Sequence, residues 1–345
     1  MTPLFMWAGG KTKLINNQYK PFLPDSFDKY HEPFFGGGAM FVWAYQKNPR
    51  AKFFINDINK PIINIYKSIR DDYKLFTRLV DNLEADYLSL DPPTEKVVES
   101  IVKDNKLTKK TQWLSHPSGA KDSKLEKKFK LPGNKYDWHS IHSQKPTRRT
   151  FFFKTRQMYQ EDYSKWIVTE ESAILYFLMK TAFNGVWQLG KNHGRFNTPC
   201  GLMRHTDSIY DKDNLLQWHV ALQKCEITSV DFFDTLTDID SGSFVFLDPP
   251  YRSASDEEKT FADYGTELND SFQEKVLNFF HKSCNNSQYT MLSNRDWGDG
   301  FFEKRSEGCD IKYFDITYTV GRKKKEKSGS HSAKKAVEIL MLKGK

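Results

Sequence analysis

The sequence predicts an α/β protein: a mostly parallel sheet completed by a C-terminal antiparallel hairpin, with an inserted, mostly helical region. Three observations lead there. Apolar runs at residues 30–35, 52–57, 226–230, 243–247 and 289–292 read as strands and alternate with helical spacings, the order of a parallel sheet with crossover helices. Runs at 311–319 and 336–342 follow one another with only a loop between them, a connection that suits antiparallel partners. At 345 residues the chain could be one large α/β domain or a core plus an inserted subdomain, and in the second case 1–70 and 226–345 are the two parts of one domain around 71–225.

Taken in order, Tyr30-His31-Glu32-Pro33-Phe34-Phe35 leads into Gly36-Gly37-Gly38 and a helix starting at Ala39. Strand, glycine turn and helix in this order let a backbone approach a nucleotide-like ligand and aim helix N–H groups at it. The glycines do not match Gly-x-Gly-x-x-Gly, since the position three beyond Gly38 is Phe41, which counts against a hydride-transfer enzyme. The strand 52–57 ends in Asp57, where an acid accepts hydrogen bonds from ribose hydroxyls. A helix N-cap role is the competing reading, because Pro61 follows closely. Helices are predicted over 61–70, 72–90, 164–183 and 271–284. Asn184-Gly185 ends the third of these, and 186–202 reads as an exposed loop or hairpin able to carry specific contacts.

The 345 residues, 15% aromatic and 28% charged, fit a globular protein, and no apolar stretch approaches the length needed to span a bilayer. Met1-Thr2-Pro3-Leu4-Phe5 lacks the features of a signal peptide, so a cytoplasmic location is expected. Cys200, Cys225, Cys284 and Cys309 form no Cys-x-x-Cys pair and have no His at zinc-ligand spacing, so reduced thiols and no metal are expected. The net charge of +8 is uneven: residues 103–149 hold 13 Lys or Arg against 4 Asp or Glu, and residues 321–335 hold 7 against 1. Basic segments on an otherwise acidic chain suit a phosphate backbone. Solvated basic loops are the plain alternative, against which stand the interleaved Trp113, Phe129, Tyr136, Trp138 and Phe151-Phe152-Phe153.

The most informative feature is the buried-strand run Phe244-Val245-Phe246-Leu247 ending in Asp248-Pro249-Pro250-Tyr251. Consecutive prolines fix their own φ and restrict the residue before them, so Asp248 and the proline carbonyls form a rigid acceptor array beside an aromatic ring. Such an array suits a planar base with an exocyclic amino group. A strand ending in a Pro-Pro turn with a capping Asp is the alternative.

Together, Trp7-Ala8-Gly9-Gly10-Lys11, Glu32-Pro33-Phe34-Phe35-Gly36-Gly37-Gly38, Asn56-Asp57-Ile58-Asn59 and Asp248-Pro249-Pro250-Tyr251 resemble, in content and order, the Dam-type family of N6-adenine-specific DNA methyltransferases. The resemblance implies a Rossmann-like S-adenosylmethionine-dependent methyltransferase sheet with an inserted DNA-recognition subdomain. It implies Trp7, Lys11, Phe35, Gly36, Gly38, Asp57, Asp231, Phe232 and Asp248 near S-adenosylmethionine, with Asp57 on the ribose. The target adenine would be flipped from the duplex and stacked on Tyr251, with Asp248, working ionised, and the Pro249 carbonyl accepting its two N6 hydrogens, and Pro250 completing the catalytic motif. Phe261 and Tyr264 resemble an aromatic segment that closes over the flipped base, core packing being the alternative.

For double-stranded DNA the resemblance implies Asn184, Gln188, Lys191, His193, Arg195 and Asn197 in a recognition hairpin. Arg322, Lys323, Lys324 and Ser293-Asn294-Arg295-Asp296 fall on the phosphate side. Trp187-Gln188 after Asn184-Gly185 departs from the basic side chain that GATC readers carry there. The resemblance implies a bacterial or phage-encoded protein that acts at the nucleoid, and leaves open a cognate restriction endonuclease as partner. Amino-cytosine enzymes more often start the tetrapeptide with Ser and RNA enzymes with Asn, so Asp248 favours adenine in DNA over N4-cytosine or RNA adenine. A DNA-binding regulator that keeps the fold without turnover is the reading from another class.

Overall fold

A computed structural model describes residues 1–7, 10–90, 148–161, 165–183, 187–190, 194–201, 207–252, 269–318, 324–325, 331–332 and 334–344. The chain divides into two compact units, Met1–Arg70 with Leu216–Lys345, and Asp71–Leu215.

The first unit is built on strands β1 (Lys29–Glu32), β2 (Lys52–Asn56), β3 (Cys225–Thr228), β4 (Ser243–Leu247), β5 (Tyr289–Asp296), β6 (Asp310–Tyr318) and β9 (Lys334–Gly344). The sheet order is β3-β2-β1-β4-β5-β9-β6. The first five strands pair in parallel, and β9 runs antiparallel between β5 and β6. Two short strands, β7 (Lys324–Lys325) and β8 (His331–Ser332), pair with each other in the β6–β9 connection. Strand order reverses between β1 and β4, and a switch point of this kind opens a crevice at the strands' carboxyl ends.

All of β4 is buried, as expected of a strand covered on both faces. Its alternate residues Val245 and Leu247 join Leu292, Ile339 and Met341 against Val276, Leu277, Phe279 and Phe280. Those last four lie on the helix Asp270–Asn286, whose first turn is capped by the Asn269 side chain accepting from Phe272 N at 3.0 Å. Each such side chain contributes about 1.5–3 kcal/mol through burial. The other face of the same strands carries Phe244, Phe246, Met291 and Leu340, and with them the polar Ser293 and Glu338, both also buried. A helical segment at 12–22 supplies Tyr19 to this side.

Helix α1 (Ala39–Lys47) leaves the glycine turn, and α2 (Lys60–Asp71) buries Ile62, Ile63, Ile65, Tyr66 and Ile69 at helical spacing. Asn59 Oδ1 accepts from Ile62 N at 3.3 Å, so Asn59 is the N-cap and Asp57 is not.

The second unit contains α3 (Tyr73–Leu88), α4 (Arg148–Glu161) and α5 (Val168–Thr181), whose core includes Phe76, Val80, Tyr87, Phe152, Phe153 and Phe177. Arg148 donates to the carbonyls of Leu90 at 3.0 Å and Leu88 at 3.3 Å, satisfying acceptors at the carboxyl end of α3. Isolated bridges Ala182↔Cys200 and Leu189↔Phe196 join the two sides of the chain beyond α5.

Two helices escaped the sequence reading. In α4 three consecutive phenylalanines point in three directions around the helix, so no single apolar face shows. In α6 (Lys212–Leu222) the buried positions Leu215, Trp218 and Leu222 are spaced correctly, but Leu216 and Val220, 48% and 51% exposed, blur the stripe. The helix Asp270–Asn286 is α7. Strand β5 runs past 292 to Asp296 because β9 pairs along its whole length, from Tyr289↔Gly344 to Asp296↔Val337.

Candidate active site

The glycine turn follows β1. Gly36 and Gly38 have φ of +47° and +67°, where a side chain is strained. A Cβ on Gly36 would lie 2.7 Å from Trp7 Nε1, and one on Gly38 would lie 2.8 Å from Trp218 and 2.9 Å from Phe35. Trp7 therefore lies against the turn. Phe35 is buried with Tyr66 and Trp218 and supports the turn by packing.

Asp57, half-buried at the end of β2, fastens the turn: Oδ2 accepts from Gly36 N at 2.8 Å and Oδ1 from Asn59 N at 2.9 Å. Burial raises its carboxyl, and those two backbone donors oppose the rise. Each oxygen keeps a further lone pair among the described residues. Ile58 is 61% exposed beside it and Val230, beyond β3, is 40% exposed. Asn56 holds Val230 in place, donating to its carbonyl and accepting from its N–H at 3.1 and 3.0 Å. Asp231 caps the turn Phe232–Asp238 by accepting from Phe233 N, and Phe232 is buried against Phe34. A side-chain-free turn, a carboxylate with open lone pairs and two exposed apolar side chains fit an adenosine with its ribose diol.

Across the switch point, Asp248 ends β4. Lys11 Nζ stands 2.9 Å from Asp248 Oδ1, 3.7 Å from Glu338 Oε1 and 4.6 Å from the centroid of the Tyr251 ring. Burial pushes the Asp248 carboxyl up to about 6, against the opposing pull of Lys11. The Tyr251 hydroxyl donates to Glu338 Oε1 at 2.7 Å and lies 2.9 Å from Ser293 Oγ. Tyr19 donates to the same oxygen at 2.6 Å and Ser293 at 2.8 Å. Burial, then the charge of Glu338, pushes the Tyr19 hydroxyl well up.

The turn itself is clamped. Gln273, on α7, donates to the Pro250 carbonyl at 2.9 Å and accepts from Asn294 Nδ2 at 2.9 Å. Asn294 Oδ1 in turn accepts from Arg252 N at 3.1 Å. The Arg252 guanidinium pairs with Asp270 and Asp299 and lies over the Phe301 ring, while Trp297 Nε1 donates to the Arg252 carbonyl. No described residue donates to the Pro249 carbonyl. The Asp248 carboxylate, half-buried, thus lies beside a phenol ring tied by its hydroxyl to Glu338 and Ser293.

The sequence profile of the D12 class N6 adenine-specific DNA methyltransferases matches residues 7–115 and 134–328. The chain belongs to this family. Among its relatives, the type II methyltransferase M.MjaIII of Methanocaldococcus jannaschii is 27% identical over 90% of this chain and 89% of its own. The type II methyltransferase M1.LlaDCHI of Lactococcus lactis subsp. cremoris is 23% identical over 99% and 95%. A DNA adenine methylase of Haemophilus influenzae is 22% identical over 85% and 79%. As a D12-class methyltransferase the protein transfers a methyl group to N6 of adenine in DNA.

In this D12 methyltransferase the described residues of the expected recognition hairpin are held by contacts within the second unit. Arg195 pairs with Glu171 at 2.6 Å and its guanidinium lies 4.2 Å from the centroid of the Tyr159 ring. Asn197 Oδ1 accepts from Gln160 at 3.0 Å, and the Asn197 and Thr198 carbonyls accept from the buried Arg156. Gln188 is half-buried, its backbone exchanging hydrogen bonds with Asn197 and Thr198. Asn184, Lys191, His193, Phe261, Tyr264, Arg322 and Lys323 lie outside the described residues, and Lys324 is placed only by its backbone on β7, opposite Ser332. Ser293 and Asn294, expected on the phosphate side, are fully buried, Ser293 against the Tyr251 hydroxyl and Asn294 donating to Gln273.

Sequence reasoning missed Glu338, Tyr19, Gln273 and Arg252. A signal existed for Glu338, the one charged residue in the run 336–342, since a carboxylate inside a buried strand needs a reason.

Proposed function

We propose that the protein binds S-adenosylmethionine at the carboxyl ends of β1 and β2 and methylates an adenine flipped out of duplex DNA. Asp57 takes the ribose hydroxyls, Trp7, Gly36 and Gly38 line the turn, Phe35 supports it, and Asp231 and Phe232 border the adenosine together with Ile58 and Val230. The bound donor supplies an electrophilic methyl group on a sulfonium.

The chain's own residues prepare the nucleophile. N6 of adenine is weakly nucleophilic because its lone pair is delocalised into the ring. Asp248 and the Pro249 carbonyl accept its two hydrogens, localising that lone pair and directing it, while Tyr251 stacks on the base. Asp248, raised to about 6, is ionised at neutral pH yet basic enough to receive the proton that the methylated nitrogen sheds. The observation that carries this reading is the Asp248–Lys11 pair at 2.9 Å beside Tyr251, set across the switch point from the glycine turn.

Residues 71–215 with the basic segments read the target site, with Asn184, Gln188, Lys191 and His193 as base or phosphate contacts, Arg195 and Asn197 shaping the hairpin, and Arg322, Lys323 and Lys324 on phosphates. The type II names of two relatives support a cognate restriction endonuclease as partner. No described helix is long and apolar enough to cross a membrane, and the chain acts on DNA in the cytoplasm. The test is transfer of label from S-adenosylmethionine to unmethylated mixed-sequence DNA, with nucleoside analysis of the product. Labelled N6-methyladenine that vanishes with Asp248→Ala is expected; labelled N4-methylcytosine, or transfer to RNA alone, would overturn it.

A further inference from the structure

Beneath the catalytic turn a second carboxylate does no work that the reading above assigns. Glu338 sits in the middle of β9, 1% exposed, and one of its oxygens, Oε1, gathers four groups: the hydroxyls of Tyr19, Tyr251 and Ser293 and, at 3.7 Å, Lys11 Nζ. The antiparallel register makes this possible, since Arg295↔Glu338 and Ser293↔Leu340 are paired and the Ser293 and Glu338 side chains therefore share one face. A buried charge in a strand is costly, and this one is spent on two groups of the site at once. Tyr251 is the ring beside the target base; its hydroxyl reaches down to Glu338, which leaves the ring little freedom. Lys11 lies between two carboxylates, 2.9 Å from Asp248 and 3.7 Å from Glu338.

We propose that Glu338 is a positioning residue of methyl transfer: it anchors the Tyr251 hydroxyl and divides the charge of Lys11, so that Asp248 stays an open acceptor for the N6 hydrogens instead of a closed ion pair. The inference rests on the adenine-N6 reading of the site. Lys11 bound by Asp248 alone would compete with the adenine amino group for the same oxygen; the second carboxylate loosens that grip.

Among the described residues, the groups facing Asp248 are Lys11 and Tyr19 from the N-terminal segment, Tyr30 and Glu32 of β1, Tyr251 of its own turn and Glu338 of β9. Of these, Lys11 and, more weakly, the Tyr251 hydroxyl hold the Asp248 carboxyl down, and Glu338 holds it up. Neutralising Glu338 therefore lowers Asp248, and the rate retains activity to more acidic pH while the plateau falls.

The experiment is a pH–rate profile of full-length Glu338→Gln, Glu338→Asp and Tyr251→Phe with S-adenosylmethionine and DNA. Emission of 2-aminopurine at the target position, read without the donor once sequencing has located the recognition site, is measured beside it. Glu338→Gln is expected to move the acidic limb below the parent's and to lower plateau kcat about tenfold or more, with KM for DNA little changed. Glu338→Asp, which keeps the charge, returns the limb towards the parent's position. Tyr251→Phe, which removes the tether together with the hydroxyl that helps hold Asp248 down, lowers kcat, moves the limb upward, opposite to Glu338→Gln, and alters the 2-aminopurine emission. A merely structural Glu338 would lower the melting temperature and the active fraction but leave the limb in place. An unmoved limb in folded Glu338→Gln overturns the proposal, as does Tyr251→Phe with parental kcat and emission; if Glu338→Gln does not fold, the Tyr251→Phe result decides. Absence of N6-methyladenine with the parent protein would sink the underlying reading instead, so the two failures are distinct.

Discussion

Replacing Lys11 by Met removes a cation 2.9 Å from Asp248 while keeping a similar buried volume. An opposite charge at this distance lowers a carboxyl by about 1 to 3 pH units, or about 1.4 to 4 kcal/mol. Without it, Asp248 climbs from about 6 to between about 7 and 9. At pH 7 the ionised fraction then falls from about nine-tenths to between about one-half and one-hundredth. The loss of rate from protonation alone is thus about two- to a hundredfold at pH 7, and raising the pH reverses it. The sign is set by the chemistry: a protonated Asp248 loses acceptor capacity and has no room for the proton that the methylated nitrogen sheds, so activity is lost as pH falls through its pKa, and a higher pKa moves that loss towards neutrality. Initial rates of label transfer to DNA between pH 5 and 10, with melting temperatures to define the folded window, measure it. An acidic limb unmoved in Lys11→Met, or a deficit that persists undiminished at alkaline pH, would refute electrostatic control of Asp248 by Lys11.

Gly36→Ala places a Cβ 2.7 Å from Trp7 Nε1 at a φ of +47°, so the donor dissociation constant should rise, with a loss of about 1–3 kcal/mol in stability readable by calorimetry and thermal melting. Gln273→Leu leaves the Pro250 carbonyl and Asn294 Nδ2 without their partner; a cost of about 1–3 kcal/mol for each buried group and a fall in kcat larger than any change in DNA affinity are expected from urea unfolding and steady-state kinetics. Arg195→Ala breaks the pair with Glu171 and the stack on Tyr159, so the melting temperature should fall while the slope of log affinity against log salt stays unchanged. A slope smaller by about one phosphate contact would return Arg195 to the DNA surface.

Much of the fold was legible in the sequence because its strands are apolar runs bounded by glycine, proline or polar residues, and its order of motifs is characteristic. The parallel half, the glycine turn, Asp57 and the acceptor motif of Asp248 all carry local signatures. Asp57 showed the limit of that reading. Its position was plain, but the N-cap reading fell only when Asn59 proved to hold Ile62 N. Helices α4 and α6 were illegible because phenylalanines all round one and exposed apolar residues on the other hide the stripe on which the pattern depends.

By itself, the sequence determined which groups are present and in what order: an Asp-Pro-Pro-Tyr turn at the end of a buried strand, a glycine turn and an acid at the end of the next strand, in an order that resembles one family. The tertiary structure alone decided what holds those groups. Glu338 meets Tyr251 across 87 residues and Tyr19 across 319, and Lys11 meets Asp248 from the far end of the chain. Such contacts have no sequence period, because they arise where β9 inserts between β5 and β6 and turns its polar residue towards the N-terminal segment. Local propensity specifies each strand, but only burial and register specify which side chains from distant strands share a face.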